Sequence, residues 1–212
     1  MKIDIVTLFP TMFDGFINNS IIKRAISKGN VNINIINLRD YSPYPNKQVD
    51  DYSYGGGGGM VLMCEPIFNC IEDLKGKDSL VIMTTPMGCQ YTQEVARNLK
   101  EHSHLIILCG HYEGFDERIK TIVDKEISVG PYILTGGEIP SMIITDSVVR
   151  LLDGVISSSS LVSETFNDNL SDYPVYTKPA IFRGLKVPDV LISGNHKKIA
   201  EYRNSQKKVI DK

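Results

Sequence analysis

Three glycine-bearing stretches hold most of the residues able to do chemistry. The first, Tyr54-Gly55-Gly56-Gly57-Gly58-Gly59-Met60, leaves the backbone free to take positive φ and to approach a ligand closely. No Gly-Lys-Ser/Thr follows, so this is not a Walker loop, and a nucleotide hydrolase is a poor reading. No clear strand precedes it, which weakens a dinucleotide-binding reading. A lid over a nucleic-acid substrate and an unconstrained surface loop both fit. The second stretch, Gly110 to Arg118, follows the apolar run Leu105–Cys109. In open α/β sheets, ligands sit in the crevice at the carboxyl ends of strands, where this loop would lie. Asp116 and Glu117 read as first-turn acids that suit a helix dipole. In the third, Ser128 to Glu138, apolar residues interleave with Gly130, Gly136 and Gly137. Such a loop could wrap a flat ring and read its edge with backbone amides.

Metal chemistry finds no support. The cysteines at 64, 70, 89 and 109 make no CxxC pair, and no cysteine joins His102 and His104 at zinc spacing. Cys89 and Cys109 lie beside apolar runs and are expected to behave as small hydrophobes. No run of 18 apolar residues appears, and the N-terminus MKIDIVTLFP has no cleavage site. Reduced thiols and no export signal point to the cytoplasm. Net charge is −2 but unevenly spread. Residues 178–212 carry 9 basic against 3 acidic side chains (+6), and residues 1–177 carry 14 against 22 (−8). One end of the chain is therefore suited to a polyanion, although a solvated helix face would show the same bias.

The elements that must position these groups alternate. Ile3–Leu8, Val31–Ile35, Leu80–Met83 and Leu105–Cys109 have the composition of strands, the last two covered on both faces. Helical spacing is expected from Thr11 to about Lys28 and around 91–100, 116–123 and 139–152. This order implies an α/β domain with a mostly parallel sheet. After Gly154, Ser157–Ser160 and the polar stretch to Asp172 read as a linker. The division is residues 1–155, a linker at 156–172, and a small basic helical domain at 173–212. A Ser193-Gly194-Asn195 turn leads into its amphipathic helix.

Taken together, the chain resembles the bacterial tRNA (guanine-37-N1)-methyltransferase family of the knotted SPOUT superfamily. The pieces that carry the resemblance are LFP (8–10), VDDYSYGGGGGM (49–60), TTPMG (84–88), GHYEGFDER (110–118) and VGPYILTGGEIP (129–140). DSVVRLLDGV (146–155), YPVYTKP (173–179) and RGLKVPDVLISGNH (183–196) complete them. The resemblance spans roughly residues 1–203 and implies a C-terminal trefoil knot in the α/β domain. It also implies a homodimer with the active site shared between subunits. S-adenosylmethionine would be held by Thr84, Thr85 and Pro86; by Gly110, Tyr112, Glu113 and Gly114; and by Val129, Gly130, Tyr132, Ile133, Leu134, Gly136, Gly137 and Pro140. The tRNA would meet Asp50, Tyr54, Gly55 and Gly59, and, through phosphate, Lys178, Arg183, Lys197 and Arg203. Family members are reported to need magnesium, and no all-carboxylate ion site is legible here.

The implied reaction needs a base near guanine N1 and a donor for the charge that develops on O6. By resemblance Arg150 is the O6 donor. Glu164, in Ser163-Glu164-Thr165-Phe166, stands where the family usually has aspartate and is the implied base. Its extra methylene shifts the carboxylate by about 1 Å unless the linker adjusts, a displacement that can cost about a hundredfold. Pro131 replaces a usual aspartate, and the chain stops nine residues after Arg203, where relatives generally continue with helix. These departures leave two alternatives: a non-catalytic binding relative, and a methyltransferase of the same fold acting on another base. Methyl transfer to guanine and adenine substrates discriminates all three.

Overall fold

The computed structural model describes residues 1–157 and 171–208. The chain divides into two units, Met1–Ile156 and Ser157–Lys212. The first contains β1 (Lys2–Thr7), α1 (Asp14–Ile17), α2 (Ser20–Ser27), β2 (Asn32–Asn37), β3 (Asp50–Tyr52), β4 (Met60–Leu62) and α3 (Cys64–Leu74). It continues with β5 (Ser79–Gln90), α4 (Gln93–Lys100), β6 (His104–Leu108), β7 (Lys125–Ser128) and α5 (Glu138–Val149). Five strands form one sheet in the order β2-β1-β6-β5-β7, every pairing parallel. The mostly parallel α/β sheet expected from the apolar runs is the one observed.

Alternate strand residues face two cores. Ile3, Ile5, Ile82, Leu105 and Ile107 pack beneath residues of α2, α4 and α5, among them Ile22, Leu99, Ile144 and Val148. Val6, Val81, Met83, Ile106 and Leu108 face the other way, against Ile67, Cys70 and Ile71 of α3. Both faces are thus covered, which explains why β5 and β6 read as unbroken apolar runs. Charge intrudes on β1: Asp4 is fully buried, accepts a hydrogen bond from Asn34 (2.7 Å) and pairs with Lys2 (2.7 Å). His104 Nε2 lies 2.9 Å from Asp4 Oδ2, with the Ser79 hydroxyl at His104 Nδ1.

Several expectations need correction. The helix expected over 11–28 is broken. A 3₁₀ turn (Pro10–Phe13) and α1 end at Asn18 and Asn19, whose side chains bond back to the Asp14 and Gly15 carbonyls, before α2 begins. Such local side-chain bonds compete with helix continuation. The helix expected near 116–123 is a 3₁₀ helix, Glu117–Ile122. α3 is a helix beyond those expected, and Cys89 is exposed rather than packed as a hydrophobe. The glycine run does follow a strand, because β3 and β4 pair as an antiparallel hairpin around it. The second unit holds β8 (Ile181–Phe182), β9 (Leu185–Lys186), α6 (Asp189–Ile192) and α7 (His196–Gln206). It is therefore not purely helical, since β8 and β9 form a short hairpin. No described helix is long and apolar enough to cross a membrane.

Candidate active site

A bulge within β5 and the loops that follow β6 and β7 meet. The Thr84 hydroxyl donates to the Leu108 carbonyl (2.9 Å) and accepts from the Gly110 N–H (3.3 Å). The Gly137 N–H donates to the Gly110 carbonyl at 2.7 Å. A Cβ on Gly137 would overlap the Thr84 hydroxyl and lie 2.5 Å from Gly110 N, so this crossing admits only glycine. Residues 85–88 leave the ladder, since Thr84 and Cys89 both pair with Ile127. Gly88 lies against β7, where a Cβ would be 2.5 Å from the backbone of Glu126 and Ile127.

In the third loop the Tyr132 N–H donates to the Gly130 carbonyl (2.9 Å), a three-residue turn centred on Pro131. The fixed φ of proline suits that turn, and the turn does not call on the N–H it lacks. The Tyr132 hydroxyl returns to the Val129 carbonyl (3.2 Å), folding the ring over Gly130.

Between these loops lies a cleft of about 490 Å³, within the range of small-molecule sites. Every residue named above for the cofactor, from Thr84 to Pro140, lines it. So do Met87 and His111, which fall in the same resembling loops, and Phe115, Lys120 and Glu126, which carried no cofactor expectation from the sequence. His111 stands between Phe9 and Tyr112, ring centroids 4.9 and 5.2 Å away. Lys120 bridges Glu117 (2.9 Å) and Glu126 (3.8 Å), and the Glu117 hydrogen bond raises its pKa.

Asp116, expected in the first turn with Glu117, instead caps the 3₁₀ helix, and Glu117 alone holds the first turn. Asp116 accepts from the Arg118 N–H (2.9 Å) and grips the guanidinium through both carboxylate oxygens. Those Arg118 hydrogen bonds hold its carboxyl far below the ordinary carboxylate range. Nearby, burial and then the Asp116 hydrogen bond push the Cys64 thiol up to about 11. Burial also raises the Cys109 thiol, which leaves neither an available nucleophile at neutral pH.

The glycine hairpin is fastened to the cleft. Glu113 N–H donates to the Met60 carbonyl (3.0 Å), Leu62 N–H to Gly114 (2.9 Å), and Asp116 N–H to Leu62 (3.0 Å). Gly59, at φ +85°, sits on the Glu113 carboxylate, where a Cβ would be 2.5 Å from Oε1. Asp50 lies in β3, and Tyr54 and Gly55 are exposed at the tip. Arg150 is not brought to the cleft in its own chain. α5 begins at Glu138, just after Gly137, and runs 12 residues, about 18 Å, before Arg150 caps it. Glu164 lies outside the described residues. Lys178, Arg183, Lys197 and Arg203 are all exposed in the second unit, with Arg203 over the Tyr173 ring (4.9 Å) and Arg183 over Phe182 (5.3 Å). That unit also has a groove of about 480 Å³, lined by Val175, Leu191 and Ile192 together with Lys178 and Arg203.

Comparison with known proteins adds to this geometry. The family model described as tRNA (Guanine-1)-methyltransferase TrmD matches residues 1–211. A tRNA (guanine-N(1)-)-methyltransferase of Ureaplasma urealyticum is 55% identical over all of this chain and 93% of its own length. Enzymes of the same name from Staphylococcus epidermidis and Bacillus pumilus are each 51% identical, over 98% and 97% of this chain and 86% of their own.

Proposed function

Since the chain belongs to the tRNA (guanine-1)-methyltransferase family and is an enzyme that methylates N1 of guanine in tRNA, we propose that its target is the guanine at position 37, beside the anticodon. We take S-adenosylmethionine as the donor and the cleft between the three loops as its site. The observation that carries this reading is the crossing of Thr84, Gly110 and Gly137. It brings backbone amides, flat apolar walls and the Glu113 carboxylate, with Glu117 and Glu126 also in the lining, around a space sized for a small molecule. When bound there, the cofactor supplies an electrophilic methyl group on a sulfonium.

The protein's own residues then have distinct tasks. Glu164 takes the proton from guanine N1. Arg150 donates to O6 as negative charge develops there. The hairpin at Asp50–Gly59 covers the base, and Lys178, Arg183, Lys197 and Arg203 hold phosphate.

The placement of Arg150 supports a shared active site. At about 18 Å along α5 it is too far from its own cleft to reach a base that faces the methyl group. A second subunit would supply it, and exposed Ile139 (49%) and Ile143 (40%) on α5, with exposed Met12 on the 3₁₀ turn that contacts α5, suit a homodimer contact. The bond from Gly137 to the Gly110 carbonyl, which ties the third loop to the residues after β6, is consistent with the trefoil knot of the SPOUT fold. The segment about 156–172 would serve as the linker between the cofactor and tRNA domains.

The test is transfer of labelled methyl to tRNA transcripts with guanine or adenine at position 37, using the parent and Glu164→Gln. We expect label only with guanine, and a fall in kcat of about 10²-fold or more in the variant. Full turnover by Glu164→Gln would remove Glu164 as the base, and label on the adenine transcript would remove the target.

A further inference from the structure

Beneath the floor of the cleft lies a buried carboxylate that none of the steps above uses. Glu138 is the first residue of α5 and only 2% exposed. A buried carboxylate is costly unless held by hydrogen bonds, so its presence requires a reason beyond filling space. Its Oε1 accepts from the Thr7 hydroxyl at 2.8 Å, and Thr7 is itself 1% exposed at the last position of β1. The Thr7 oxygen in turn accepts from the Phe9 N–H at 2.9 Å. The other carboxylate oxygen, Oε2, presses on Gly136, where a Cβ would overlap it; the His111 ring stands 2.8 Å from the same point. The start of a helix favours negative charge, which stabilises the group where it stands.

Two segments far apart in the chain, 7–9 and 136–138, therefore meet at one side chain. Gly136, Gly137 and His111 all line the cleft, and Gly137 is locked to Gly110. We infer that Glu138, fixed by the Thr7 hydroxyl, is a positioning residue that sets the Gly136–Gly137 wall of the cofactor cleft. It acts through Gly136 and touches neither reactant. The inference rests on the cofactor reading of that cleft.

The experiment is calorimetric titration of S-adenosylmethionine into the full chain, with steady-state kinetics and thermal unfolding in parallel. The variants are Thr7→Val, Thr7→Ser, Glu138→Gln and the Thr7→Val/Glu138→Gln pair. Thr7→Val removes the donor at constant shape, and Thr7→Ser restores it. Loss of a buried hydrogen bond to a charged group should raise the cofactor Kd and KM by about ten-fold in Thr7→Val and Glu138→Gln. The kcat at saturating cofactor and the KM for tRNA should stay within about two-fold, because neither residue meets the reacting atoms. Thr7→Ser should match the parent, and the pair should be no worse than its worse single member.

An unchanged cofactor Kd in Thr7→Val, or a Thr7→Ser as impaired as Thr7→Val, overturns the inference. So does a lowered melting temperature with cofactor affinity intact, which would make the pair a purely structural tie. A parent chain that binds no cofactor overturns the cleft reading itself, a result distinct from a parent that binds and variants that bind equally well.

Discussion

Gly59 shows how one residue can answer two demands at once. Its φ of +85° strains any L side chain, and its neighbour within reach is the Glu113 carboxylate. Gly59→Ala must therefore both strain the hairpin and displace Glu113 at the edge of the cleft. We expect kcat/KM to fall by about a hundredfold, the scale of a 1 Å misplacement, with backbone strain at positive φ costing about 1–2 kcal/mol of stability. Gly58 is the control: its φ is not positive, and a Cβ there would meet no atom within 4 Å. Gly58→Ala should retain activity within about two-fold. Steady-state methyl transfer by the two variants checks both statements, and equal losses would show that the run matters only for its flexibility.

At the scale of elements, the bulge between β5 and β7 makes the strongest demand. Gly88 faces the backbone of Glu126 and Ile127, which unlike a side-chain tip cannot swing aside. Gly88→Ala should destabilise the first unit by about 1–3 kcal/mol, read as a lowered midpoint in urea with an unchanged slope. A midpoint within error of the parent would mean that β7 shifts freely. This bulge was not legible in the sequence. Leu80–Met83 announced a strand by its apolar run, but continuation to Gln90 depends on pairing with a strand some forty residues away. α3 was legible in principle, because Ile67, Cys70, Ile71 and Leu74 follow helical spacing, and Asn18-Asn19 carried the signal for the break before α2. The hairpin strands are only three residues each, too short for any periodic signal. For the site, residue types and order were legible through the glycine loops and their resemblance. Their meeting at Thr84, Gly110 and Gly137, and the buried Thr7–Glu138 pair, were not, because both are contacts between distant segments.

At the scale of the whole chain, charge separates the tasks. Lys178, Arg183, Lys197 and Arg203 lie exposed in the second unit, and the acidic excess lies before them in the sequence. Changing these four together to alanine should weaken tRNA binding and flatten its dependence on log salt by about 3 units, with cofactor affinity unchanged. Filter binding across a salt series measures this, and an unaltered slope would move the phosphate contacts elsewhere. The first unit carries a different consequence. β4 is hydrogen-bonded along Glu113–Asp116, so the hairpin proposed to cover the RNA base and the loop that lines the cleft share a backbone ladder. A ligand that favours one arrangement of that ladder biases it for the other ligand. Thermodynamic reciprocity then fixes the bargain: whatever factor bound cofactor adds to the affinity for tRNA, bound tRNA adds to the affinity for cofactor.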